Sequence, residues 1–342
     1  METVKERNYL WDNMKAILIF LVVAGHLLEG LGPLDFPPAM AVDYWIYSFH
    51  IPAFIFVSGF LSKSYCKNGL VRSEKVTIFI LYYAVFQVLF ALLKAALNVN
   101  LNGSSFFDPC RGLWYLLAII FYYLIIPIAE KIPSYITIGT FIILSILIGM
   151  EPQADNMLSI HRIFVFAPFF FFGYYLPSGV VDKIRAVKLP LRIVLGLLSM
   201  AASIFICVVQ GVGSIPINVF FGKDNYNELK IGFLEGTVFR LEAIVIGLLM
   251  ILAMLFIVPS VKCFLSYAGA HSLRVYIFHL PLVVVMMDAG MIQNIEINDL
   301  ASLGILLLVA AAITAFLSLP FFEYPFKWMQ LAVRKLYSLK DN

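Results

Sequence analysis

Apolar runs of bilayer-crossing length recur along the whole of this 342-residue chain, and no other feature limits its fold as much. A helix needs about 17–25 predominantly apolar residues to cross the hydrocarbon of a membrane. Ten segments are candidate spans, all but the sixth of that length: 13–31, 43–62, 75–97, 113–130, 134–150, 163–177, 191–211, 238–257, 273–289 and 300–320. Hydrocarbon offers no partner to a backbone N–H or C=O, so runs of this length must be helices. Composition agrees. Hydrophobic residues make up 62% of the chain and charged residues 13%, against about 25% charged in a soluble domain. The expected fold is an all-α integral membrane protein, a bundle of about ten transmembrane helices, with residues 1–342 as one transmembrane domain. Membrane lipids are its expected surroundings, and nothing in the charge balance points to nucleic acid. The sixth segment is short and rich in Phe, and is expected to tilt little or to run past Pro177.

The first apolar run follows Lys5 and Arg7 but lacks a small-residue cleavage site after Gly32, so it is expected to stay as the first helix. Cys66, Cys110, Cys207 and Cys263 show no metal or redox spacing, and no metal is expected. No internal repeat is visible.

Ten spans put both termini on one side. That side carries 18 of the 24 Lys and Arg residues. The other carries five, Arg111, Arg162, Lys223, Lys230 and Arg240, and Lys94 falls within a span. The positive-inside rule then places both termini in the cytoplasm and the longest loop, 212–237, outside.

Ionisable residues inside a membrane are costly and so point to function. His26 lies about five residues from the outer end of the first span, roughly 7–8 Å deep, and His50 lies roughly 10 Å into the second. Two imidazoles at matched depth suit acid–base chemistry near neutral pH. The plainer reading of each is a buried histidine bonded to a backbone carbonyl. His279, in the ninth span, is a third such imidazole. Lys15, one turn after Asp12, lies at the cytoplasmic end of the first span, where a snorkelling lysine fixes helix position. Arg72 and Lys75 flank the start of the third span and fit plain positive-inside topology. Glu323 is an acid on a basic face. Trp114 and Tyr115 open the fourth span, as in an aromatic belt, and Arg162 opens the sixth as an anchor. Cations at the cytoplasmic mouth and histidines in the outer half suit an anionic cytosolic co-substrate. They equally suit a proton-coupled transporter or flippase for a glycan or small metabolite.

The order of motifs narrows this choice. Lys15, ten residues and His26 form a basic-x10-His pattern in the first helix. The second helix carries Ser48-Phe49-His50-Ile51-Pro52-Ala53-Phe54. Leu113-Trp114-Tyr115-Leu116-Leu117, Phe172-Gly173-Tyr174, Tyr276-Ile277-Phe278-His279 and Phe322-Glu323-Tyr324-Pro325-Phe326 follow. Taken together, these resemble the membrane-bound acyltransferase-3 family, and its fucose 4-O-acetylase-like branch in particular. The resemblance implies O-acyl transfer from a cytosolic acyl-CoA donor, usually acetyl-CoA as co-substrate, to a hydroxyl of a cell-surface glycan or lipid-linked sugar at the plasma membrane. It implies His26 as catalytic, and His50, at matched depth on the next helix, is expected to be catalytic with it. Lys15, in a place usually held by Arg, would bind the donor with Arg72 and Lys75, whose Arg-x-x-Lys spacing differs from a tighter double-Arg form. Asp12, Trp114, Tyr115, Arg162, His279 and Glu323 would support the site or bind substrate.

Overall fold

The structure is a computed structural model that describes residues 8–67, 69–98, 106–152, 157–209, 215–292 and 295–338. It is helical almost throughout. The helices are α1 (Leu10–Gly30), α2 (Pro37–Ser62), α3 (Ser73–Leu97), α4 (Trp114–Ala129), α5 (Ser134–Leu147), α6 (Ile160–Tyr175) and α7 (Ser178–Ala186). They continue with α8 (Leu189–Val209), α9 (Ile217–Phe221), α10 (Phe233–Ile257), α11 (Leu265–Ala270), α12 (Ser272–Asp288), α13 (Leu300–Leu317) and α14 (Tyr324–Ser338). A two-residue antiparallel pairing, Cys66–Lys67 with Leu70–Val71, closes the turn between α2 and α3.

Each of the ten expected segments coincides with a helix. Among the described residues, seven are long and apolar enough to cross a membrane by themselves: α1, α2, α3, α4, α8, α10 and α13, with α2 and α4 each lengthened by an adjoining 3-10 turn. The other three are shorter. α5 with its following turn has 17 residues, α6 has 16 and α12 has 17. At 1.5 Å per residue these reach about 24–26 Å, a little short of a 30 Å hydrocarbon layer. The bundle is thus an all-α membrane fold whose short helices lie among longer ones.

The sixth segment differs from expectation. It stops at Tyr175, and the chain turns by 76° into α7. Pro177 has no N–H to continue the ladder and holds Leu176 extended, at φ −63° and ψ 116°. α10 begins at Phe233, five residues before the expected span, so Arg240 is not a loop cation. It stands two turns into the helix, 2% exposed, and its Nη1 donates to Val219 O at 2.8 Å. That bond ties α9 to α10. The loop expected over 212–237 therefore holds a short helix, α9, and the start of α10. Residues 210–214 lie outside the described residues.

α1 is the most enclosed long helix but for α2, and packs on α2, α11, α12 and α13. α2 packs on α6 and α10, α8 on α10, and α3 on α4 and α14. Small residues allow the closest approaches. A Cβ on Gly59 of α2 would lie 2.0 Å from Phe170 O of α6, and one on Gly173 of α6 would lie 2.0 Å from Phe56 O of α2. Gly269 of α11 approaches Asp12 O of α1 in the same way. Helices in lipid gain their cohesion from such close packing, because lipid tails are as apolar as the side chains they replace. α14 runs antiparallel along the first half of α3. Phe326 packs on Phe86, Gln330 Nε2 donates to Tyr82 Oη at 2.8 Å, and Tyr337 Oη lies 2.8 Å from Thr77 Oγ1.

Candidate active site

Three intramembrane histidines are held by one local device. His26 Nδ1 lies 2.8 Å from Val22 O, His50 Nδ1 2.6 Å from Ile46 O, and His279 Nδ1 2.9 Å from Val275 O. In each case the carbonyl is four residues back on the same helix. A carbonyl only accepts, so Nδ1 carries the proton in the neutral ring and Nε2 keeps its lone pair. In α2 and α12 a proline stands two residues after the histidine, Pro52 and Pro281. A mid-helix proline lacks an N–H and its ring pushes the preceding turn open, which loosens the helix beside each imidazole.

Exposure separates the three. His50 is 1% exposed and His279 0%. His26 alone is partly exposed, and it opens onto a cavity of about 350 Å³. That cavity gathers His26 and Glu29 of α1, Tyr47 and His50 of α2, Trp114 of α4, Arg162 of α6, and Tyr276 of α12. Two further segments complete it, the stretch ahead of α4 and the end of α9 with the turn that follows. One brings Asp108 and Arg111, the other Phe220, Phe221 and Lys223. Its size and its mixed aromatic and polar wall suit a small polar ligand.

The wall is ordered by its own contacts. The Arg162 guanidinium sits over the Trp114 ring, 5.1 Å from its centroid, and its Nε donates to Phe221 O at 3.3 Å. Tyr47 donates its hydroxyl to Glu29 Oε2 at 3.0 Å, and Arg111 Nη1 lies 4.0 Å from Glu29 Oε1. Tyr276 donates to Gly112 O at 2.7 Å, pinning the loop ahead of α4. Arg111 at φ 41° and Ser159 at φ 52° occupy the left-handed region that non-glycine residues avoid, and both line the cavity. Backbone strain of this kind persists only where the surroundings over-determine it, and it concentrates at functional sites.

The structure thus brings His26, His50, Trp114 and Arg162 together, with His279 directly behind His26. Tyr115 stands one layer away. Its hydroxyl is 2.7 Å from Ser58 Oγ, which already donates to Phe54 O, so Tyr115 is the donor in that pair. The remaining expected site residues lie away from this cavity. Lys15 Nζ is 3.1 Å from Asp12 Oδ1. Arg72 precedes α3, and Lys75 Nζ lies over the Tyr65 ring at 4.7 Å. The principal neighbours of α1 and α3 are different helices. Glu323 pairs with Arg274 at 3.1 Å and with Lys327 at 3.0 Å. The Lys327 hydrogen bond, helped by the charge of Arg274, holds the Glu323 carboxyl below its ordinary range. His271, just ahead of α12, falls within electrostatic reach of Lys15, Arg274 and Glu323. Burial first, and then these cations, lower its pKa. Lys15 therefore belongs to a charged cluster built with the start of α12.

Glu29, Tyr47, Arg111 and Tyr276 are wall residues that sequence reading passed over. Signals were present. Glu29 lies one turn after His26, Arg111 is one of few basic residues on its side, and Tyr276 lies one turn before His279. Among the described residues, no group of three or more His, Cys, Asp and Glu is placed to hold a metal ion.

Comparison with known proteins bears on what this site does. No curated protein and no solved structure gives a significant match to the chain. The sequence model of the acyltransferase-3 family, described as an acyltransferase domain, matches residues 8–321, a stretch that includes every wall residue of the cavity and the Lys15 cluster as far as Phe321. This chain belongs to the acyltransferase-3 family and is a membrane acyltransferase.

Proposed function

We propose that this protein moves an acetyl group from cytosolic acetyl-CoA to a hydroxyl of a cell-surface or lipid-linked sugar, in the manner of the fucose 4-O-acetylase-like branch. The observation that carries the reading is His26: one imidazole, fixed in one tautomer, with a basic Nε2 at the edge of a polar cavity inside an apolar bundle. A transporter is disfavoured by the family to which the chain belongs.

The acceptor hydroxyl attacks the thioester carbonyl while its proton passes to Nε2 of His26. The new C–O bond forms, the C–S bond breaks as the tetrahedral oxyanion collapses, and the departing thiolate takes the proton back from His26. General-base help of this kind contributes typically 10²–10⁴-fold. The oxyanion needs N–H or O–H donors. Tyr47 and Tyr276 already donate to Glu29 and Gly112 O, and Arg111, Arg162, Lys223, Ser159 and Trp114 carry further N–H or O–H groups on the wall. Tyr47 and Phe221 contribute aromatic surface to the wall on which a sugar ring would rest.

The donor phosphates are assigned to Lys15, Arg72 and Lys75, on the face that the charge tally makes cytoplasmic. Lys15 is eleven residues from His26 on one helix, about 16 Å. The pantetheine arm would cover that distance, with the phosphates at one end of α1 and the thioester at the other. The test is transfer of labelled acetyl from acetyl-CoA to a panel of methyl glycosides by the purified protein. His26→Gln should abolish transfer and leave the fold intact. Labelled sugar taken up by proteoliposomes without acetylation would instead support transport.

A further inference from the structure

We infer that His279 is a positioning residue for His26, fixing its tautomer and aim through a histidine–histidine hydrogen bond. The inference rests on the acyl-transfer reading above for its kinetic consequence, but not for its geometry.

His279 Nε2 lies 3.2 Å from His26 Nδ1, with the ring centroids 5.0 Å apart. Both Nδ1 atoms face carbonyl oxygens, so both carry hydrogen. His279 Nε2 is then a lone pair and must be the acceptor. The His26 N–H is shared between Val22 O on its own helix and His279 across the α1–α12 seam. Val22 O alone favours Nδ1–H over the other tautomer without enforcing it. It does not fix the ring's rotation, because a carbonyl accepts over a broad range of directions. The second acceptor on a different helix removes that freedom and leaves Nε2 aimed at the cavity.

The surroundings make this arrangement one-sided. His279 is fully buried and its own Nδ1 is anchored to Val275 O, so its lone pair has a fixed direction. Tyr276, one turn earlier on α12, lines the cavity and is itself bonded to Gly112 O, which holds α12 in register with the cavity wall. When His26 accepts a proton at Nε2, its positive ring keeps an Nδ1–H directed at a neutral acceptor. This is the role that a carboxylate plays behind the histidine of a hydrolytic triad, where it holds tautomer and orientation without taking the proton. A neutral imidazole does this in lipid without a second buried charge.

The experiment compares His279→Leu and His279→Gln in the full-length protein reconstituted in nanodiscs. The readout is thiol release from acetyl-CoA with the methyl glycoside that the parent uses best. His279→Leu removes the acceptor. It should lower kcat on the order of tenfold to a hundredfold, the scale at which a misaimed catalytic group is felt, with KM for both substrates changed less than about twofold. His279→Gln keeps an acceptor oxygen and should recover most of kcat. In 15N-histidine spectra, the parent's His26 should show the Nδ1–H tautomer, and His279→Leu should show a mixture. A parent-like kcat in His279→Leu overturns the inference, as does a folded His279→Gln no better than His279→Leu, or an unchanged His26 tautomer. If the parent releases no thiol with any glycoside, the acyl-acceptor reading fails, and the 15N spectra still decide the hydrogen bond. If His279→Leu does not fold, His279→Gln and the parent spectra decide it.

Discussion

Replacing Gly59 or Gly173 with alanine should show how much of this bundle depends on the seam between α2 and α6. The new methyl on Gly59 meets Phe170 O at 2.0 Å, and ordinary contact begins near 3.4 Å. The two backbones must therefore part by about 1.4 Å, since neither a main-chain oxygen nor a helix can yield locally. Overpacking a tight interior costs about 1–3 kcal/mol, and occasionally more. A gap of 0.5–1 Å already forfeits a quarter to a half of the dispersion energy of each contact across it. Both effects act here, so each single replacement should destabilise by about 3 kcal/mol. The two contacts are reciprocal and on one seam. Once the helices have parted for one methyl, the second finds the space open. The double replacement should fall short of the sum of the singles by at least about 1 kcal/mol. Gly139→Ala is the control, because a Cβ there meets nothing within 4 Å. In a helix it should be neutral or stabilise by about 0.5–1 kcal/mol. Unfolding of the purified protein in mixed micelles, followed by circular dichroism, measures all four. Strict additivity, or singles no worse than Gly139→Ala, would refute the claim that backbone contact holds α2 to α6.

Four further outcomes are expected. His26→Gln should lower kcat for acetyl transfer by about 10²–10⁴-fold with an unchanged unfolding midpoint, and near-normal turnover would remove His26 from the chemistry. Replacing Arg72 or Lys75 with alanine should raise KM for acetyl-CoA about tenfold, one lost contact of about 1.4 kcal/mol, and leave KM for the glycoside unchanged. Unchanged donor KM in both would end the donor assignment. Glu323 is held below the unfolded value of about 4.3, so its stabilising effect is present above that pH and is lost as pH falls through the lower, folded pKa. Glu323→Gln should be less stable than the parent at pH 7, with the difference shrinking below about pH 4.3 in acid unfolding curves; a difference constant with pH would count against the ion pair. Asn227→Cys, at an exposed position between α9 and α10, should react with an impermeant maleimide from outside intact cells, and labelling only after lysis would reverse the topology.

The helices were legible because hydrocarbon makes run length a structural quantity. A segment such as 75–97 has no alternative to being a helix, and α3 at Ser73–Leu97 departs from it by two residues. Ends set by chemistry other than hydropathy were less legible. Arg240 looks like a boundary from its charge, yet it is buried where α10 has already begun, because a bond to Val219 O offsets part of its cost. The bend after Tyr175 departs from a segment expected to tilt little or to run past Pro177, because the run of apolar residues carries no mark of the turn that Pro177 imposes.

The candidate site was legible one helix at a time and not as a constellation. His26, His50 and His279 read alike in the sequence, as polar residues out of place, and all three make the same bond to a carbonyl four residues back. What separates them is how each stands to the cavity: His26 is partly exposed on it, His50 lines it while buried, and His279 lies behind His26. That is decided by residues 108–112, ahead of α4, and 220–223, at the end of α9, and Arg111 takes a conformation that sequence pattern does not announce. The Lys15 cluster shows the same limit. Lys15 and Arg72 share a face by charge counting, but the helix beside Lys15 is α11, brought there by the backbone contact of Gly269 with Asp12, and the group it reaches at the start of α12 is His271. A donor phosphate bound at Lys15 would be felt by Asp12, its ion-pair partner, and by His271, which Arg274 and Glu323 also reach. Since Arg274 is already committed to Glu323, donor binding at this end should weaken that pair and couple to the pH dependence assigned to Glu323. Measuring the Glu323→Gln stability difference with and without saturating acetyl-CoA tests the link. A difference that acetyl-CoA does not alter would place the phosphates at Arg72 and Lys75 alone.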